Sequence, residues 1–294
     1  DNLCAGIGVY GGATAKIIEA ACNKNHGCGI TAAGSEDGSL VSSISVYGCT
    51  ANENGDHGIG ARPYGKINVT KSSNNVENAI CNNKYTGVIL NDHCSADFID
   101  YCTINENGKA GISISENSSV DQISHNSIIG NKEDGIHVSE GSRTSIASCE
   151  LNHNAQSGIG IYSNSTVDNI DACNINENEH YGICVDAGDV AKISDSTITK
   201  NIWAGVIARN KSKVDSISGI TSQNNETYGL YVSNGSTVNV VSSNFNQNTK
   251  DGIRVTDKNT VASVKKSKCN NNKDNGVAAV SGAKVNINGT TVSN

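Results

Sequence analysis

The chain has 294 residues and a formal net charge of −7, without a run of basic residues, which argues against nucleic acid as a partner. Aromatic residues make up only 4% of the sequence while glycine occurs 31 times, so a core built from large rings is excluded. No apolar stretch approaches the roughly 20 residues of a membrane-spanning helix.

From its first residues onward, the chain repeats a pattern in which a glycine precedes an aliphatic residue. Successive glycines are 23 or 24 residues apart, except for two steps of 29. The repeat glycines are Gly6, Gly29, Gly58, Gly87, Gly111, Gly135, Gly158, Gly182, Gly205, Gly229, Gly252 and Gly276. A period of this length along the whole chain predicts a solenoid of stacked repeats, so we expect one domain over 1–294.

Each repeat predicts three short strands. With the glycine as position zero, positions +1 and +3 are apolar, as in Ile112 and Ile114, which is the two-residue period of a strand. A second apolar pair lies near −15 and −12, as in Val120 and Ile123, and a third inward position is −7, as in Ile128. Stacked turns would pair like strands in parallel, and twelve turns predict a rod about 58 Å long. Parallel crossovers favour the right hand.

An asparagine four residues before the glycine is present in every turn. These residues are Asn2, Asn25, Asn54, Asn83, Asn107, Asn131, Asn154, Asn178, Asn201, Asn225, Asn248 and Asn272. An amide can bond both to the backbone of a corner and to its equivalents in neighbouring turns, so the set predicts an inward, structural asparagine ladder. We expect the asparagine to tolerate a left-handed backbone and the glycine to permit an unusual one.

The pattern N-x-x-x-G-[IVL]-x-[VIA] resembles the repeats of the pectate-lyase-like superfamily of right-handed parallel β-helix proteins, over essentially the whole chain. The resemblance implies an all-β, single-stranded parallel β-helix of about twelve turns. It implies no single activity, because the superfamily includes polysaccharide lyases and hydrolases, alginate C5-epimerases, phage tailspikes, adhesins and noncatalytic surface proteins.

The eleven cysteines do not form the pattern of a disulfide framework. Four of them fall at position −9, where other turns have asparagine or serine: Cys49, Cys102, Cys149 and Cys173. We interpret these as a ladder of small, packed side chains. Cys4 and Cys28 lie near equivalent corners and are the better-placed pair for a bridge. Without a C-x-x-C pair, and with scattered histidines, neither a zinc site nor any other cofactor is predicted.

In the enzymes that this fold resembles, the chemistry lies on the outer face of one sheet, which corresponds here to positions +2 and +4. In that register the face has one carboxylate, Asp186, whereas glycosidic hydrolysis needs two and a calcium-dependent lyase needs an acidic cluster. Four polar residues on consecutive turns could line one groove: His137, Tyr162, Asp186 and Arg209. We expect a noncatalytic protein; if the chain is an enzyme, a polysaccharide lyase or epimerase is the expectation.

The two ends of the chain have nearly the same phase in the repeat. Asp1 and Asn294 both fall at position −5 of a turn. Open parallel edges recruit further strands, so either the chain is a segment of a longer β-helix or copies stack head to tail into a filament. A first residue other than Met fits a processed, secreted chain or a trimmed one. We predict an extracellular or cell-surface structural protein that assembles end to end, with polysaccharide activity or glycan binding on the outer face as the alternative.

Overall fold

The computed structural model of the chain describes residues 2–293, in which all regular elements are β-strands. They form the predicted all-β, right-handed parallel β-helix of about twelve turns, with three sheets. The chain divides into two compact units, residues 1–150 and residues 151–294. One domain over 1–294 stays a prediction. Asp1 and Asn294, on which the argument from phase depends, lie outside the described residues.

In the first unit, three parallel sheets run along the turns. The first sheet contains β1 (Ile7–Tyr10), β3 (Ile30–Ala33), β5 (Ile59–Arg62), β8 (Val88–Leu90), β11 (Ile112–Ile114) and β14 (Ile136–Val138). The second contains β2 (Thr14–Ile18), β4 (Ser43–Tyr47), β6 (Lys66–Thr70), β9 (Ser95–Asp100), β12 (Ser119–Ser124) and β15 (Arg143–Ala147). The third, shorter sheet contains β7 (Asn78–Ala79), β10 (Cys102–Asn105) and β13 (Ser127–Ile129). Strand β16 (Glu150–Asn152) lies at the division between the units.

The second unit repeats this arrangement. Its first sheet contains β17 (Ile159–Tyr162), β20 (Ile183–Asp186), β23 (Ala204–Arg209), β26 (Tyr228–Val232), β28 (Ile253–Thr256) and β30 (Val277–Val280). The second contains β18 (Thr166–Asp171), β21 (Asp189–Ser194), β24 (Lys213–Ser218), β27 (Thr237–Val241), β29 (Val261–Lys265) and β31 (Lys284–Asn288). The third contains β19 (Asn174–Asn176), β22 (Thr197–Thr199) and β25 (Thr221–Gln223).

The register of the strands stacks each repeat position on its equivalent in the next turn. Between β11 and β14, Ile112 pairs with Ile136 and Ile114 with Val138, and all four side chains are fully buried. Most of the predicted inward positions beyond the first sheet are buried in the same way, as Ile123 and Ile128 are, but Ile287 and Val292 in the last turn are exposed. The period of the sequence therefore identified the core correctly, because one period is one turn.

The asparagine ladder is confirmed within each unit. In the second unit, Nδ2 and the backbone N–H of Asn178 both donate to Oδ1 of Asn201, each over 3.0 Å. Asn201 donates in turn to Oδ1 of Asn225, with Nδ2 at 3.1 Å, and its Nδ2 also reaches the carbonyl of Ile175 at 3.3 Å. The sequence led us to expect a left-handed backbone at the asparagine, and this expectation is wrong. The left-handed residue is the one before the asparagine, such as Lys200 with φ 56°.

The glycine at position zero leaves room for the asparagine ladder because it has no side chain. None of the twelve repeat glycines, all within residues 2–293, has a positive φ, so the expected unusual backbone conformation is wrong. A Cβ atom on Gly182 would lie 2.6 Å from the carbonyl oxygen of Gly205 and 3.0 Å from Nδ2 of Asn201. The first contact is closer than a Cβ atom tolerates and the second is tight, so a larger residue at this position would require the neighbouring turn or the ladder to shift.

The cysteines at position −9 are packed as predicted. Cys102 is 1% exposed, and its thiol points at the carbonyl of Asp100 at 3.1 Å. Where serine replaces cysteine at this position, the hydroxyl makes the same bond, as from Ser196 to the carbonyl of Ser194 at 2.8 Å. The ladder therefore selects a small side chain with a weak donor. The candidate bridge between Cys4 and Cys28 is not formed, and both are free thiols.

Candidate functional site

Three of the four residues predicted to share a groove lie on neighbouring strands of the second unit. On the first sheet, Tyr162 pairs in register with Asp186, and Asp186 with Arg209. Nε of Arg209 donates to Oδ2 of Asp186 over 2.8 Å. His137 lies on β14 of the first unit, where its Nδ1 is 2.9 Å from Oδ2 of the buried Asp134.

Part of the outer face in the second unit is covered. Cys184 and Ile207 occupy position +2, which the sequence predicts to be exposed, but their exposed fractions are 1% and 4%. Tyr181 and Trp203 precede the strands that carry these residues, and they line one groove together with Ile207. Ile207 therefore lies within a site whose walls are aromatic.

These walls belong to a surface groove of about 380 Å³ on the second unit. We call it the aromatic groove, and it is defined by the rings of Tyr181, Trp203, Tyr228 and Tyr231. The centroids of Tyr181 and Trp203 are 6.3 Å apart, and those of Tyr228 and Tyr231 are 5.1 Å apart. The other residues along the groove are Ala204, Ile207, Arg209, Thr227, Ser233, Asn234, Lys250 and Asp257.

Hydrogen bonds between turns hold Trp203 in place although 53% of the residue is exposed. Its backbone N–H donates to the carbonyl of His180 over 2.8 Å, and its own carbonyl accepts from the N–H of Thr227 over 2.9 Å. The same ladder places Tyr228 beside Ala204 on neighbouring strands. The backbone that carries the rings is thus part of the stack of turns and does not need to fold onto a ligand.

Two arginines flank the aromatic groove, and a carboxylate holds each of them. The guanidinium of Arg209 lies 5.9 Å from the ring centroid of Tyr181, and Asp186 anchors it. The guanidinium of Arg254 lies 5.8 Å from the ring of Tyr228, and Nη1 donates over 2.9 Å to Asp251, which is fully buried. Such guanidinium–ring contacts are favourable and restrict both partners.

Two tyrosines of the aromatic groove, Tyr181 and Tyr231, are neutral hydrogen-bonding groups. Burial is the main cause that raises the pKa of Tyr181, and it likewise raises the pKa of Tyr231, with the nearby Asp257 adding to the effect. Since an unperturbed phenol already titrates near pH 10, both hydroxyls keep their protons at physiological pH. They can donate to a ligand oxygen as well as accept from one.

In the first unit, the corresponding edge of the first sheet carries a cluster around Asp56. Its carboxylate contacts Nε2 of His57 at 3.2 Å and Nη2 of Arg62 at 3.0 Å, and it is 3.5 Å from the thiol of Cys28. Burial, and then the charge of Asp56, raises the pKa of Cys28 to about 11. A thiol that stays protonated is a poor nucleophile, so the cluster does not have the chemistry of a cysteine enzyme.

This cluster makes the stability of the protein depend on pH. Burial lowers the pKa of His57 to about 4, against the opposing charge of Asp56, and its Nδ1 accepts the N–H of Thr86 over 3.1 Å. The unfolded chain therefore binds a proton that the folded chain does not, and stability falls as the pH falls from about 6.5 towards 4. We expect a loss on the order of 2 kcal/mol at about pH 5, measured by urea unfolding at this pH and near neutrality.

The matched variants are His57→Gln, whose carbonyl can still accept from Thr86, and His153→Gln, which replaces an exposed histidine. The His57 variant should lose most of the dependence on pH, while the His153 variant should keep it. An equal loss of stability on acidification in all three proteins would contradict the assignment to His57.

The sequence analysis missed the aromatic groove because it took positions +2 and +4 as the whole outer face. Tyr181 and Tyr228 are at position −1 and Trp203 is at position −2. The signal was in the sequence, since a chain with one tryptophan and nine tyrosines places three of these ten residues one or two positions before the repeat glycine of three consecutive turns. Asp134 and Asp251, which also occupy −1, were missed for the same reason.

In the part of the chain that the structure describes, no group of three or more His, Cys, Asp or Glu side chains is arranged so that it could hold a metal ion. That part of the chain also contains no helix of the length and hydropathy that a membrane span requires.

Comparison with known proteins identifies relatives of the fold. The family described as the right handed beta helix region matches residues 5–171, 65–215 and 160–292. No curated protein matches the sequence. Among solved structures, a mutant of the periplasmic alginate epimerase AlgG is 12% identical, with a TM-score of 0.65, over 95% of this chain and 77% of that one. A second structure of the same epimerase is 11% identical, with a TM-score of 0.64 and the same coverage. At this identity the likeness is one of fold.

Proposed function

The chain belongs to the right-handed β-helix family, and on this premise we propose that it is an extracellular or cell-surface protein that binds a polysaccharide in the aromatic groove. One observation carries the proposal. The only tryptophan of the chain and three of its nine tyrosines converge on one groove, in a protein with 4% aromatic residues. An exposed cluster of this kind is a binding feature, because stability alone would place the rings in the core.

The chemistry of the aromatic groove suits a sugar chain. A pyranose has an apolar C–H face that packs on an aromatic ring and a rim of hydroxyls that need hydrogen-bonding partners. The rings of Trp203 and Tyr228 offer the first kind of surface, and Ser233, Asn234 and Arg209 offer the second. The periplasmic alginate epimerase AlgG, which has the same fold, supports a polysaccharide as the ligand class.

The carboxylates support binding more than hydrolysis. A glycosidase needs two carboxyl groups that face the scissile bond. Asp186 and Asp251 are each committed to an arginine, at 2.8 Å and 2.9 Å, which leaves Asp257 on the aromatic groove. A lyase or epimerase that uses Tyr162, Asp186 and Arg209 remains the alternative activity, and the appearance of an unsaturated or epimerised product would distinguish it from binding.

The experiment uses Trp203 as its own reporter, because it is the only source of tryptophan fluorescence in the chain. Oligosaccharides from neutral and acidic polysaccharides are titrated into the intact protein. We expect at least one class to shift the emission in a saturable way, with a dissociation constant in the range of about 10 μM to 1 mM. A panel in which no oligosaccharide changes the emission would remove the proposal.

A second proposal is that copies assemble end to end into a filament. Its support is that β1 and β30 each pair with one strand among residues 2–293, so that within this part of the chain their second edges are available to a strand of another copy. Electron microscopy should then show rods well beyond about 58 Å, the length predicted for twelve turns. A monodisperse monomer at high protein concentration would exclude it.

A further inference from the structure

We infer that the aromatic groove selects an uncharged polysaccharide over a polyanionic one such as a polyuronate, an inference that rests on the proposed function. At first sight, the cations beside the rings suggest the opposite, because Arg209, Lys250 and Arg254 all face them. The decisive observation is that carboxylates of the protein already neutralise the two arginines.

Arg209 is occupied by the protein itself. Its Nε donates to Oδ2 of Asp186 over 2.8 Å, and the other oxygen of this carboxylate accepts from Nδ2 of Asn210 over 2.6 Å. A ligand carboxylate that approached Arg209 would meet the charge of Asp186 at nearly the same distance. The attraction and the repulsion would largely cancel, whereas the free N–H groups of the guanidinium could still donate to a hydroxyl.

The positive charge of Arg254 is neutralised more firmly than that of Arg209, because its partner Asp251 is buried inside the protein. Oδ2 of Asp251 accepts from Arg254, and Oδ1 accepts from Nδ2 and the backbone N–H of Asn275 over 2.7 Å and 2.9 Å. The side chain of Asp251 is fully buried, so it cannot swing away to make room for an anionic ligand. Removing Arg254 from this carboxylate would leave a buried charge unpaired, which is costly.

The remaining charged residues do not change the net charge of the site. Lys250 and Asp257 both line the aromatic groove and add one charge of each sign. With the two arginines and their two aspartates, the site carries three positive and three negative groups. The chain as a whole has a net charge of −7, so its long-range field repels a polyanion rather than attracting it.

The groups left to recognise a ligand are uncharged ones, which offer apolar contact and hydrogen bonds. The rings of Trp203 and Tyr228 provide apolar contact, while the hydroxyls of Tyr231 and Ser233 and the amide of Asn234 provide hydrogen bonds. Of the three cations only Lys250 is not held by a carboxylate among residues 2–293, and Asp257 lines the same groove. An acidic sugar would have to lose the hydration of its carboxylate on entry, which is unfavourable. A neutral chain of hexoses avoids that cost.

The test compares neutral oligosaccharides and oligouronates of equal length by calorimetry, in about 20 mM and about 500 mM NaCl. We expect neutral ligands to bind at least about tenfold more tightly, with an affinity that changes less than about twofold between the two salt concentrations. Tighter binding of oligouronates that weakens with salt would overturn this inference and leave the proposed function standing. Binding of neither class would remove the proposed function itself.

A pair of variants tests the cause. Asp186→Asn leaves Arg209 without its carboxylate, and we expect the affinity for oligouronates, relative to neutral ligands, to rise about fivefold. The control is Asp215→Asn, which removes the same charge from an exposed pair with Lys213 on the second sheet of the same unit. The control should leave the ratio unchanged. An equal rise in both variants, or a rise in neither, would contradict the role of the local pairing.

Discussion

Replacing Asn201 with alanine is expected to lower the free energy of unfolding by about 4 kcal/mol. Asn201 is fully buried and accepts two bonds from Asn178, at 3.0 Å each. Its Nδ2 also donates to Asn225 and to the carbonyl of Ile175, at 3.1 Å and 3.3 Å. Alanine would leave several of these buried groups without a partner, each at a cost of about 1–3 kcal/mol, and it would open a cavity.

The matched control is Asn239→Ala, in which an exposed asparagine of the same unit is truncated. Its Nδ2 makes one hydrogen bond, to the carbonyl of Asp215 at 3.2 Å, and we expect a change below about 1 kcal/mol. Urea unfolding followed by circular dichroism measures both variants. Equal destabilisation by the two substitutions would mean that the ladder is no more important than any surface amide.

The second large effect concerns ligand affinity. Trp203→Ala and Tyr228→Ala should each weaken binding of the oligosaccharide that the wild-type protein prefers by about 10- to 100-fold, since central aromatic residues carry most of the energy of such a contact. Trp203 is 53% exposed and Tyr228 is half-buried, so neither truncation removes a core residue. Calorimetry measures the affinity, because the first variant has no tryptophan left to report it.

Tyr47→Ala provides the control for the loss of a ring. Tyr47 is half-buried on β4 of the first unit, with Nζ of Lys16 at 5.0 Å from its centroid, and it is not part of the aromatic groove. This variant should bind as the wild-type protein does. Unchanged affinity in the Trp203 and Tyr228 variants, with their unfolding curves intact, would place the ligand elsewhere.

The fold was predictable because every turn repeats the same pattern of apolar residues, asparagine and glycine. Ile112 and Ile114 alternate as a strand does, and the equivalents of Asn107 recur in every turn, so one correctly interpreted turn gives all the others. The identity of the left-handed residue was not predictable in this way. It is the residue before the ladder asparagine, whatever its type, because the corner fixes its backbone and its side chain points to solvent, as that of Lys200 does.

The candidate site was only partly predictable, and the reason is local geometry. Counting by twos back from Ile183 puts Tyr181 inside, as position −1. However, a Cβ atom placed on Gly182 would point inward at Asn201. Since Ile183 is also fully buried, two consecutive positions face the core. The period of two is therefore interrupted at the glycine, and Tyr181 lines the aromatic groove although the count puts it inside. Asp186 and Arg209 come after the glycine, where the period of two holds, and they pair in register on neighbouring strands.

The central claim is that the aromatic groove of the second unit holds a sugar chain, and a crystal structure of the protein soaked with the tightest oligosaccharide tests it most directly. We predict electron density for pyranose rings packed against Trp203 and Tyr228, with hydroxyls in hydrogen-bonding distance of Arg209 or Asn234. Density for the ligand on the second sheet or on the first unit, with the aromatic groove empty, would contradict the account.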